Sequence, residues 1–105
     1  MNHFGKTLLG ALFALSCAAP VQAADTLMMA TTTSTQDSGL LEYLAPTFEK
    51  ETGIELKWVA VGTGKALEIS KNCDADVLLV HAPDVEKKFI EDGYGIDRRQ
   101  IMYND

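Results

Sequence analysis

Ile54-Glu-Leu-Lys-Trp-Val-Ala-Val61, running directly into Gly62-Thr-Gly64-Lys65, is the stretch that decides how this chain is built. Ile54, Leu56 and Trp58 alternate with Glu55 and Lys57, the period-2 pattern of a half-buried strand, and the apolar character continues to Val61. The Gly-Thr-Gly turn then leads into a short helix over residues 65–72. The same unit, a strand followed by a helix, recurs on both sides of it.

Upstream, Asp25 to Ala30 reads as a strand and Thr31-Thr-Thr-Ser-Thr-Gln-Asp-Ser38 as a loop dense in hydroxyls. A helix then starts near Gly39, with Asp37 or Ser38 as its N-cap and with Leu40, Leu41, Leu44 and Phe48 at helical spacing. Pro46 lacks an N–H and crowds the carbonyl of Glu42, which predicts a kink or a break; Thr52-Gly53 closes the helix. Downstream, Ala75-Asp-Val-Leu-Leu-Val80 has the pattern of a strand covered on both faces. Pro83 suits the first turn of a helix that carries Val85, Phe89 and Ile90 and stops at Gly93, and residues 98–105 start the next element. The order β-α-β-α-β-α predicts an α/β fold with a parallel sheet and helices on its faces. Every strand-to-helix connection then emerges at one sheet edge, where open α/β sheets bind ligands. The loops at 31–38 and 62–64 are neighbours on that edge.

The chain has 105 residues, enough for at most one small domain, and its 47% hydrophobic content argues against disorder. Part of that content is an N-terminal block. Met1 to Lys6 is weakly positive, Thr7 to Ala18 is apolar but too short to span a bilayer, and Val21 and Ala23 fit the small-residue pattern of a signal-peptidase site. Residues 1–23 are therefore read as a signal peptide and residues 24–105 as the mature segment. Cys17 lies in a loose lipoprotein-like context, but Ala14 stands where a larger aliphatic is usual, so soluble release is preferred over lipidation. Cleavage leaves 8 basic against 15 acidic residues, a net charge of −7, which argues against nucleic acid or an anionic membrane as partner. Cys73 is then the sole cysteine, so the segment has neither an internal disulfide nor a CxxC redox pair.

The chemistry lies in the two loops. The first offers the hydroxyls of Thr31, Thr32, Thr33, Ser34 and Thr35; the second adds Thr63 and the backbone N–H groups of Gly62, Gly64 and Lys65, with no glycine Cβ in the way. Together they make a set of uncharged donors at helix starts, suited to a fully ionised oxyanion that only accepts hydrogen bonds. Ser/Thr clusters also cap helices and shape turns, and on the residues alone the two roles stand level. Gly62-Thr-Gly-Lys65 is not a P-loop, because Val59 stands where that motif needs glycine and Ala66 where it needs a hydroxyl. Leu67 is too bulky for the third small residue of a dinucleotide fingerprint. His81 has no organised Cys or carboxylate partners and reads as a turn residue, Asp74 and Asp76 as solvated or capping, Arg98 and Arg99 as surface charges, and Trp58 and Phe89 as core. No cofactor and no metal ligand set is expected, and no catalytic residues are assigned.

The segments Ala30-Thr-Thr-Thr-Ser-Thr35, Ser38-Gly-Leu-Leu41, Pro46-Thr-Phe-Glu-Lys-Glu-Thr-Gly53, Val59-Ala-Val-Gly-Thr-Gly-Lys-Ala66 and Asp76-Val-Leu-Leu-Val-His-Ala82, with Gly93-Tyr-Gly95 and Met102-Tyr-Asn-Asp105, resemble the tungstate-binding proteins of ABC-type uptake systems. These belong to the wider group of periplasmic oxyanion-binding proteins, and the resemblance covers essentially all of the mature segment. It implies a two-lobed protein that closes on tungstate, often also molybdate, and delivers it to an ABC permease in the cytoplasmic membrane. It implies a periplasmic monomer without enzymatic activity, tungsten being bound only as the oxyanion. By position it places oxyanion-binding residues at Thr32, Thr33, Ser34, Gly62, Thr63 and Gly64, with Thr33 and Ser34 foremost. The family's oxyanion-contacting arginine lies in a later region that has no counterpart here, and Arg98 and Arg99 do not match its motif. Residues 24–105 are thus expected to be a partial lobe I, the parallel-sheet half of the first lobe of a periplasmic-binding-protein (type II-like) fold, as a fragment, a truncated product or one part of a larger chain. The rival expectations are a sulfate or phosphate binder, an exported phosphate- or nucleotide-using enzyme built around Gly62–Lys65, and an inactive truncated remnant.

Overall fold

The structure, a computed structural model, describes residues 25–102. The export signal expected over 1–23, Cys17 within it, and residues 103–105 lie outside the described residues. In chain order the elements are β1 (Asp25–Thr32), α1 (Thr33–Asp37), α2 (Leu40–Thr52), β2 (Ile54–Val61), α3 (Thr63–Lys71), β3 (Val77–Leu79) and α4 (Pro83–Glu91). The sheet is three-stranded and fully parallel in the order β2-β1-β3, as the alternation of strands and helices predicts.

β1 occupies the middle because it is the strand with a partner on each side. It pairs with β2 from Asp25↔Ile54 through Thr32↔Val61, and with β3 from Met29↔Val77 through Thr31↔Leu79. Just before β3, the Asp76 N–H donates to the Met28 carbonyl at 2.8 Å and the Asp76 carboxylate accepts from the Met28 N–H at 2.9 Å. Asp76 therefore extends the ladder at the amino-terminal edge of the sheet, away from the strand-to-helix loops. Helix α2 lies against β2, and α3 lies against all three strands. Ala30 and Ala66 are both fully buried, so their small side chains let α3 sit close on β1, while Leu41, Leu67 and Phe89 fill the rest of the core.

The structure refines local expectations at four places. The first strand does not stop at Ala30, and residues 31–38 are not a loop. Thr31 and Thr32 continue β1, and Thr33–Asp37 coil into α1. Thr31 can be buried completely because its Oγ1 donates to the Leu79 carbonyl at 2.8 Å. The second helix starts after Gly39, whose left-handed φ of 79° turns the chain from α1 into α2. Ser38 still serves that start, accepting from the Leu40 N–H at 3.3 Å. Third, α2 is not broken at Pro46. Pro46 and Glu42 lie on the exposed side, where water can satisfy the freed carbonyl, while buried Leu41 and half-buried Phe48 hold the two halves of the helix against the sheet. Fourth, β3 is shorter than residues 75–80, and its three residues are half-buried; among the described residues it is an edge strand paired with β1 alone.

Candidate functional site

The carboxyl edge of the sheet is where the expected site residues gather. β1 and β2 end in register at Thr32↔Val61, and adjacent strands run about 4.8 Å apart, so Thr33-Ser34 and Gly62-Thr63-Gly64 leave the sheet side by side. Ser34 and Thr63 each stand two residues beyond that last pair, on the same edge. Because β1 is central, the loop after β3, Val80-His81-Ala82, flanks Thr33-Ser34 from the other side. Three loops meet here, where two were expected.

The hydroxyls of the first loop divide into two groups. Thr31 is spent on β3. Thr32, only 3% exposed, is the N-cap of α1, with its Oγ1 accepting from the Thr35 N–H at 3.4 Å and lying 2.9 Å from Thr35 Oγ1 and 3.2 Å from Ser34 Oγ. Thr33 and Ser34, by contrast, are exposed. Ser34 Oγ also lies 3.3 Å from His81 Nε2. The hydroxyl that caps α1 is thus buried, and the exposed hydroxyls are those of the two residues after it.

The second loop is built differently. Gly62, in extended conformation, is the N-cap of α3 and supplies no side-chain cap, and its carbonyl takes the first helical bond from the Ala66 N–H at 2.9 Å. The N–H groups of Thr63, Gly64 and Lys65 precede that bond and have no intrahelical acceptor. Neither glycine is demanded by the chain itself. Gly62 has φ −67°, and a Cβ at Gly62 or Gly64 would meet nothing within 4 Å. Both positions leave the backbone open to something outside it.

Side chains behind the edge fix its geometry. Trp58, expected in the core, is half-buried and donates from Nε1 to Gln36 Oε1 at 3.0 Å, tying α1 to β2. Glu86 accepts from the Ala82 N–H at 2.6 Å with one carboxylate oxygen and from Arg98 Nε at 3.1 Å with the other, which pins the turn after His81. The Arg98 side chain is 24% exposed in this pair, so the reading of Arg98 as a surface charge is corrected: it is half-buried and committed to Glu86. The reading of His81 as a mere turn residue is incomplete, since it reaches Ser34. Position and strand order carry that signal, because any loop that leaves a neighbour of β1 must border the first loop.

Ala66 is fully buried, so the place where a P-loop carries its hydroxyl faces the core. Among the described residues, no group of three or more His, Cys, Asp or Glu could hold a metal ion, and no helix is long and apolar enough to cross a membrane.

The family described as PBP superfamily domain matches residues 18–105. The tungstate-binding protein TupA of Peptoclostridium acidaminophilum is 57% identical over 84 residues, covering 80% of this chain and 29% of that protein. The solved structure of the tungstate-binding protein TupA from Desulfovibrio alaskensis G20 superposes with a TM-score of 0.77 at 65% identity, over 78% of this chain and 33% of that one. The structure of the tungstate ABC transporter from Geobacter sulfurreducens gives a TM-score of 0.73 at 52% identity, over 76% of this chain and 34% of that one. The chain spans about a third or less of the length of these proteins.

Proposed function

Since the chain belongs to the PBP superfamily, we propose that residues 24–105 form the parallel-sheet part of the first lobe of an extracytoplasmic solute-binding protein that captures tungstate, with molybdate as second substrate. The protein is a periplasmic monomer, exported by the signal at residues 1–23, that hands the oxyanion to an ABC permease and catalyses nothing. One observation carries this reading: β1 and β2 end in register at Thr32 and Val61, so that Thr32, Thr33, Ser34, Gly62, Thr63 and Gly64 share one edge. The names of the relatives, tungstate-binding protein and tungstate ABC transporter, supply the ligand.

The donor chemistry agrees with that ligand. None of the six residues carries a charge; five can present a hydroxyl or a backbone N–H, while Thr32, 3% exposed, acts from behind through its bond to Ser34. A tetrahedral dianion without protons accepts at every oxygen and is satisfied by donors alone. A ligand that keeps a proton, such as monohydrogen phosphate, must turn one of these hydroxyls from donor into acceptor, which costs the set a donor. Uncharged donors fixed by the fold also gain from being pre-organised, since little side-chain freedom is lost on binding.

Titration calorimetry on the whole expressed protein tests the proposal. Tungstate and molybdate are expected to bind, with a melting shift that sulfate and phosphate do not produce. A protein that took up phosphate as tightly as tungstate, or bound no oxyanion, would not be the transporter component described.

A further inference from the structure

We propose that His81 is a positioning residue that aims the Ser34 hydroxyl proton into the oxyanion site, an inference that rests on the oxyanion reading above. The observation is the contact of Ser34 Oγ with His81 Nε2 at 3.3 Å, made across the sheet edge between the loops after β1 and β3.

A serine hydroxyl has one proton and two lone pairs, and an imidazole Nε2 either carries a hydrogen or presents a lone pair. If Nε2 is bare, the Ser34 proton goes to it and the serine turns a lone pair toward the site, which repels an anion. If Nε2 carries its hydrogen, His81 donates to Ser34, and the serine proton is free to point outward. The hydroxyls behind Ser34 fit the second arrangement, and the anion selects it. Thr32 Oγ1 accepts from the Thr35 N–H and can also accept from the Thr35 hydroxyl, 2.9 Å away, so its own proton is free for Ser34 at 3.2 Å. Ser34 then receives hydrogen bonds from Thr32 and from His81, and its single proton is left for the ligand. Every donor in the set is used once, and each bond polarises the next toward the anion. Glu86, held by Arg98, keeps the turn after His81 in place through the Ala82 N–H. The oxyanion therefore selects the form of His81 that is protonated at Nε2.

The test combines affinity with a spectroscopic signature, both on the whole expressed protein. Imidazole nitrogen-15 spectra are recorded with and without saturating sodium tungstate. His81 is expected to show Nε2 carrying hydrogen in the bound state, and an Nε2 left bare at saturation overturns the proposal even if every variant fails to fold. His81→Leu is expected to weaken tungstate binding by about tenfold, the loss of one oriented charge-assisted hydrogen bond. His81→Gln, whose amide N–H can replace the donor, is expected to restore most of that loss. In a Ser34→Ala background the His81→Leu change should add nothing, because the hydroxyl it orients is gone. Wild-type binding with an unaffected His81→Leu, or an equal further loss in the Ser34→Ala background, sinks the positioning role and leaves the oxyanion reading standing. Wild-type protein that binds no oxyanion ends both.

Discussion

The loops after β1 and β2 leave the same sheet edge from the same paired position, yet they present hydrogen-bond donors in opposite ways. The first uses side chains, and its hydroxyls are already joined to one another, to the cap of α1 and to His81. The second uses backbone: glycines with open space around them, a helix start with no side-chain cap and unengaged N–H groups. In the first loop the hydroxyl that caps α1 is hydrogen-bonded to the exposed hydroxyl beside it; in the second, no side chain caps the helix at all. Substitutions in the two loops should therefore give different combinations of lost affinity and lost stability.

Ser34→Ala is expected to have the largest effect. It removes the exposed hydroxyl on which Thr32 and His81 converge, at a cost of about 1.5–3 kcal/mol in oxyanion affinity, or roughly tenfold to a hundredfold in Kd. The melting temperature of the ligand-free protein should stay close to wild type because the side chain is exposed. Calorimetry beside thermal unfolding checks both halves. An unchanged Kd would mean that the first loop only shapes the helix start.

Thr32→Val sharpens the contrast between the loops. Valine keeps the branched shape in a position that is 3% exposed but removes the oxygen that caps α1, which should cost about 1 kcal/mol of stability. Affinity should fall as well, since Ser34 loses one of its two donors. The corresponding change in the second loop, Thr63→Val, touches no cap and should leave stability within about 0.5 kcal/mol of wild type while weakening binding. Equal stability losses at the two positions, measured by denaturant unfolding, would erase the distinction.

How much of this was legible in the sequence follows the same division. The second loop was readable in place because its signals are local: alternation from Ile54 to Trp58 and the apolar run to Val61 fix β2, although the helix expected from Lys65 already starts at Thr63. The first loop was misread in form. Thr31 looks like a loop residue until a buried acceptor is supplied, and that acceptor is the carbonyl of Leu79, 48 residues away. The contribution of His81 was missed because strand order is not a local property. Alternating strands and helices predict a parallel sheet, but not that β1 lies between β2 and β3, and the contact with Ser34 depends on that order. Of the kink or break expected at Pro46, the break is absent, because the packing of Leu41 and Phe48 on either side outweighs a local preference.

Gly64→Ala has the smallest expected effect on stability and separates the two loops by its sign. Gly64 lies in the first turn of α3, its backbone has no positive φ, and the added Cβ would meet nothing within 4 Å, so alanine fits without strain. Glycine is worse than alanine in a helix by up to about 1 kcal/mol and less than that in a first turn, so the variant should be slightly more stable than wild type. Affinity should move the other way, falling severalfold, because the new methyl crowds whatever approaches the Gly64 and Lys65 N–H groups. If stability and affinity rose together, the open space around Gly64 would have no ligand in it, and the backbone half of the proposed cage would have to be given up.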